Sequence, residues 1–248
     1  MIKLVSIVLL LSGHNLLANT NYQSTGKFFK IGEISENPIY VQTTQITFKK
    51  DEKTSTSEIK DATGQIVMTE TAIVERGQTI KQTMTQLQIN ERYELQRDAD
   101  NETYLFKTYD IANKDQPKLI SEDKVKTTKS FYTGPSMVDF LNLNREKLKN
   151  AGSSVMSFGI FELQKLIDFS IQKTKSPFAQ EQPELLSLKM KIDNALFAFF
   201  VDPLYFDIQP DNGRIVRYRG RTPVRLKNKS GDYKPFDADI YYEYKELK

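Results

Sequence analysis

The chain has 248 residues, with 35 basic and 32 acidic side chains, a formal charge of +3, 15 Phe, 12 Tyr, no Cys, no Trp and a single histidine, His14. Charge this evenly balanced argues against a dedicated nucleic-acid binder, which shows a concentrated basic excess. Without a thiol, and with its one imidazole in a segment expected to be removed, the mature chain has no disulfide, no thiolate nucleophile and no histidine proton shuttle.

The N-terminus reads as an export signal. Lys3 is followed by the apolar run Leu4–Leu11 and by the small residue Ala18 before polar Asn19. The apolar run is shorter than the roughly 20 residues that span a bilayer. Residues 1–18 are therefore expected to be a cleaved signal, giving a periplasmic or secreted protein that is not integral to the membrane. Residues 19–37 read as an irregular lead-in, and 38–248 as a single domain.

From Pro38 to about Thr127 the chain is rich in Thr, Ile, Val and Tyr, which suit a pleated sheet. Strands are expected over 40–48, 66–74, 79–89, 92–97, 103–111 and 118–126. The breaks carry turn chemistry at Asp61-Ala62-Thr63-Gly64, Arg76-Gly77 and Asp98-Ala99-Asp100-Asn101. Connections this short make the strands antiparallel neighbours. A shift of apolar parity within 79–89 suggests a bulge.

Residues 135–149 change period. Met137, Phe140, Leu141 and Leu148 share a helical face, with Ser136 and Asp139 spaced as a capping box and Gly152 as a stop. Strands resume at 155–161 and 163–172, followed by a polar loop over 174–184. The alternation of Leu186, Leu188, Met190 and Ile192 marks a half-buried strand. The apolar segment 195–201 precedes strands at 204–208, 214–226 and 237–245. The fold class is mainly β with minor α.

Three stretches carry a family resemblance: Ser57–Val67 with Thr69-Glu70-Thr71, then Phe200–Phe206, and finally Arg214–Arg221 with Asp237–Tyr242. They resemble an uncharacterised periplasmic domain-of-unknown-function family. That resemblance implies a strongly curved antiparallel sheet, an unclosed β-barrel plugged by one or two helices, as in outer-membrane lipoprotein carriers. It also implies a periplasmic address and an apolar ligand cavity, but no activity. The lipobox cysteine of an anchored acceptor is absent.

Two sets of residues are candidate sites. Phe197, Phe199 and Phe200, with Phe140 and Leu141 of the helix, either fill the concave side of the sheet as core or wall a pocket for an acyl chain. Arg217, Arg219, Arg221, Arg225 and Lys227 share one strand parity. Arg219 and Arg221 are the best candidates for an anion site, because arginine forks suit phosphate. The competing reading is a solvated ion-pair ladder to Asp237, Asp239 and Glu243 across the last hairpin. Neither catalytic residues nor metal ligands nor a cofactor motif is recognisable. The expected function is a non-enzymatic binding or carrier-like domain for an apolar ligand or peptide. The alternative is an assembly factor that docks to an envelope protein through a strand edge, with a carboxylate-based hydrolase third.

Overall fold

A computed structural model describes residues 21–180, 182–193 and 202–247. The expected signal and the Phe-rich segment, with Phe197, Phe199 and Phe200, lie outside the described residues. The first meander comprises β1 (Tyr22–Lys30), β2 (Tyr40–Lys49), β3 (Glu52–Asp61), β4 (Ile66–Glu75), β5 (Gln78–Gln86), β6 (Glu91–Arg97), β7 (Thr103–Asp110) and β8 (Lys118–Lys126). After β9 (Phe131–Tyr132) come a 3-10 turn at Gly134–Ser136, α1 (Met137–Leu143) and α2 (Arg145–Lys149). The second meander is β10 (Ser153–Ile160), β11 (Lys165–Lys173), β12 (Leu186–Ile192), β13 (Leu204–Ile208), β14 (Ile215–Lys227) and β15 (Tyr233–Glu246).

All fifteen strands form one sheet in the order β8-β7-β6-β5-β4-β3-β2-β1-β15-β14-β13-β12-β11-β10-β9. Every pair is antiparallel except β9 with β10. Pairing of β1 with β15 joins the two meanders. The edges β8 and β9 are adjacent in sequence but not hydrogen-bonded to each other, so the barrel is unclosed. Side chains bridge this seam. Gln164 Nε2 donates to Ser121 Oγ at 2.8 Å, and Phe131 stacks on Tyr104 with ring centroids 4.3 Å apart.

Alternation along the strands puts one parity inside, where two apolar clusters form. The first gathers Phe28, Tyr40, Ile59, Met68, Met84, Tyr93 and Phe236, chiefly from the first meander and the distal part of the last hairpin. The second packs α1 and α2 against β10–β13 through Phe140, Leu141, Leu148, Met156, Leu188 and Phe206. No helix among the described residues is long and apolar enough to cross a membrane.

Several local expectations need correction. Residues 22–30 of the supposed lead-in are β1, which joins the two meanders. The stretch 52–61 is a full strand, β3, although Ile59 is its only apolar residue. The single helix is split at Asn144. Asp139 does not cap α1; its carboxylate is drawn to Lys53, while Ser136 Oγ accepts from the Thr133 N–H at 2.9 Å. The bulge in the expected 79–89 strand falls at Ile80, between Thr79 and Lys81, and Leu87 and Ile89 belong to the following turn.

Candidate functional site

The two ends of the lumen beside the first meander are closed differently. At one end the Thr133–Leu143 segment is fastened inside. Thr79 Oγ1 bonds Thr133 Oγ1 at 2.8 Å and Ser136 Oγ at 2.9 Å. The buried Lys53 ammonium donates to the Pro135 carbonyl at 2.9 Å and to the Asp139 carboxylate. At the other end the β5–β6 turn reaches across to β14. Gln88 Nε2 donates to the Arg225 carbonyl at 2.8 Å, Gln88 Oε1 accepts from the Arg225 N–H at 2.8 Å, and Gln86 Nε2 donates to the Pro223 carbonyl. Tyr40 Oη also donates to the Arg225 carbonyl, at 2.7 Å.

Between these closures the inward faces turn polar. In register around the wall lie Ser24, Thr44, Ser57 and Glu70, with Gln42 and Gln82 on flanking levels. Gln42 Nε2 donates to Ser57 Oγ at 2.9 Å, and Thr44 Oγ1 donates to the same Ser57 Oγ at 3.0 Å. Gln82 Nε2 donates to Glu70 Oε1 at 2.7 Å. No ion pair to Glu70 is found among the described residues. Removal of its carboxyl from bulk water pushes its pKa up to about 7, an effect the Gln82 hydrogen bond only partly offsets. Glu70 is enclosed by protein yet partly accessible, as are the inward-facing Gln42, Ile46 and Tyr242. The lumen at this level is therefore not packed solid. Gly26 lets the Tyr242 ring lie against β1, since a Cβ there would come within 2.7 Å of the ring.

Outside the barrel, the arginine ladder is formed but only partly solvated. Arg219 makes a two-pronged pair with Asp239, Nε–Oδ1 at 2.6 Å and Nη2–Oδ2 at 2.7 Å. Arg221 pairs with Asp237 at 2.6 Å and is 57 % exposed. Arg217 turns instead to the fully buried Asp207 at 2.6 Å, and Glu243 to Lys27. The segment expected as a polar loop straps over these pairs. The Arg217 and Arg219 guanidinium groups lie 4.7 and 5.0 Å from the Phe178 ring centre, and Arg219 Nη1 donates to the Pro177 carbonyl at 2.9 Å. Both arginines offered for an anion site thus already hold carboxylates of their own chain.

Phe140 and Leu141 are 4 % and 0 % exposed in the helical plug, so the structure places them in packed core rather than beside Glu70. Sequence reading missed Glu70, Gln82, Gln42 and Ser57 as a group. The available signal was β3 itself, Lys53-Thr54-Ser55-Thr56-Ser57-Glu58, which is polar on both parities and so announces a strand with a wetted inner face. Among the described residues no cluster of acidic side chains could hold a metal ion.

Fold and site together define an unclosed antiparallel β-barrel with a helical plug and a polar chamber in its wall. No family model matches the chain, and neither does any curated protein. Among solved structures it is similar to a β-barrel-like protein of domain of unknown function DUF1849 from Brucella abortus, at 8 % identity and a TM-score of 0.42, over 92 % of this chain and 98 % of that one. It is also similar to a porin-like protein from Bacteroides uniformis, at 8 % identity and a TM-score of 0.20, over 91 % and 98 % of the two chains.

Proposed function

We propose that the chain is an exported envelope protein, a non-enzymatic carrier-like domain that holds an apolar or amphiphilic small molecule in its lumen. The supporting observation is the chamber: an enclosed but partly accessible carboxyl, ringed by hydroxyl and amide groups, between apolar clusters. Apolar walls with a few convergent polar groups are the usual composition of a small-molecule site. The signal-like residues 1–18 support export and a periplasmic address. Phe197, Phe199 and Phe200 are assigned to the same ligand as apolar walls.

Native mass spectrometry of protein purified from its own envelope tests this reading. A small-molecule adduct is expected, and Phe199→Asp should lose both the adduct and binding of an apolar fluorophore while the fold survives. A preparation that carries no adduct and does not bind the fluorophore refutes the proposal. A second reading, an assembly factor, draws on β8, which is paired on one side only and exposes Leu119 and Ile120 at 46 % and 55 %. An unpaired edge can accept a partner strand. Its three lysines and acidic neighbours Glu122 and Asp123 weaken this reading, because charge on an edge strand discourages pairing. Co-purification of one envelope protein with an empty lumen would favour it.

A further inference from the structure

We propose that the chamber recognises its ligand by a protonated amine, with the Glu70 carboxylate and the Gln82 amide oxygen as the head-group site. This rests on the lumen-binding reading and specifies the class of ligand. With Glu70 ionised the orientation of the Gln82 amide is set, because a carboxylate only accepts and the amide nitrogen must donate the 2.7 Å bond to Glu70 Oε1. Its oxygen is then left beside the carboxylate, and this buried acceptor has no hydrogen-bond partner among the described residues, although Gln82 is only 2 % exposed. A buried acceptor without a donor is costly to leave unmade.

Two neighbouring acceptors, one of them ionisable, call for a donor with more than one polar hydrogen and a positive charge. An ammonium group has three such hydrogens; a hydroxyl has one. Among the described residues no cation of the chain pairs with Glu70. Lys53 is held by Asp139 and Pro135, Arg97 by Glu75 at 2.9 Å, and the Arg214 guanidinium lies over the Tyr22 and Tyr244 rings, 4.5 and 5.2 Å from their centres. Tyr242, inward from β15 and close enough for Glu70 to help keep its phenol protonated, adds an aromatic ring to the same wall. The other titratable groups facing this interior are Tyr93 from β6, Tyr218 from β14, Tyr22 from β1 and Tyr244 from β15 with the Arg214 guanidinium over the last two rings, and, toward the plug, the Lys53–Asp139 pair. Burial also keeps the Tyr93 phenol protonated.

The inference is tested by calorimetry with three eight-carbon probes, octylammonium, octan-1-ol and octanoate, against the full chain at about pH 8 and about pH 5.5. Octylammonium keeps its charge at both. At the higher pH it should bind at least about tenfold more tightly than the alcohol, with octanoate weakest, because charge-assisted hydrogen bonds are the strong ones. At the lower pH Glu70 is protonated and the preference should fall below about threefold. Glu70→Gln, which keeps the shape and can still accept from Gln82, should bind octylammonium and octanol alike at both pH values. Equal binding of the two by the unmodified chain overturns the amine site but leaves lumen binding standing. A preference that survives in Glu70→Gln places the cation elsewhere and also overturns it. Failure of all three probes to bind refutes the lumen reading itself.

Discussion

Glu70→Gln should make the protein more stable, and only above a certain pH. The carboxyl titrates at about 7 in the folded chain against an ordinary 4.5. A carboxyl whose folded value is raised binds more protons folded than unfolded between those limits. Its contribution to stability is therefore fully present below about 4.5 and is lost as pH rises through about 7. At roughly 1.4 kcal/mol per pH unit the gap amounts to about 3 kcal/mol, an upper bound because Glu70 is partly accessible. The glutamine variant carries no such charge, and its amide can pair reciprocally with that of Gln82, giving the orphan oxygen a donor. Urea unfolding followed by far-ultraviolet circular dichroism suits a chain without tryptophan. The difference between variant and parent should change little below about pH 4.5 and move by 2–3 kcal/mol in the variant's favour by about pH 8. A difference that stays constant across this range would show that Glu70 is an ordinary solvated carboxylate, and the enclosed chamber would be refuted.

Asp139→Ala should destabilise by about 2–3 kcal/mol in urea, because it strips the buried Lys53 of its carboxylate; Asp139 is itself 31 % exposed, which keeps the loss below that of a fully buried pair. Replacing both residues by apolar ones should recover part of that loss. The two ladder arginines should differ sharply. Arg219→Ser leaves Asp239, 1 % exposed, with the Gly32 N–H as the one remaining partner of its side chain among the described residues and should cost about 3 kcal/mol, whereas Arg221→Ser removes an exposed pair and should cost at most about 1 kcal/mol; equal losses in urea unfolding would contradict the buried-rung assignment. Phe178→Ala, which removes a ring 4 % exposed over Arg217 and Arg219, should cost about 3 kcal/mol and free the strap for limited proteolysis; unchanged resistance to protease would show that the ring does not hold it.

How legible the fold was depends on which side chains carried the alternation. Where the inner parity was apolar, as in β12 with Leu186, Leu188, Met190 and Ile192, the strand could be read from spacing alone. The antiparallel register of β14 on β15, with Arg219 opposite Asp239 and Arg221 opposite Asp237, was equally readable from opposed charges. Besides the two-residue β9, the strands that escaped were β1 and β3, whose inner positions are Ser24 and Gly26 between Tyr22 and Phe28, and Lys53, Ser55 and Ser57 before Ile59. Hydrophobic periodicity is silent for such strands, and they are the ones that wall the chamber beside Glu70. The strap over 174–184 reads as loop because its burial comes from one ring, Phe178, and from backbone carbonyls accepting from arginines on a strand distant in sequence. Asp139 was misassigned for the same reason, since its partner Lys53 lies 86 residues away.

The most direct measurement is a carboxyl-carbon NMR titration of Glu70 in ligand-free protein, repeated with octylammonium. A midpoint near 7, falling when the ammonium is added, is the result expected of an enclosed carboxyl waiting for a cation. A midpoint near 4.5, unmoved by the amine, would contradict both the enclosure and the site.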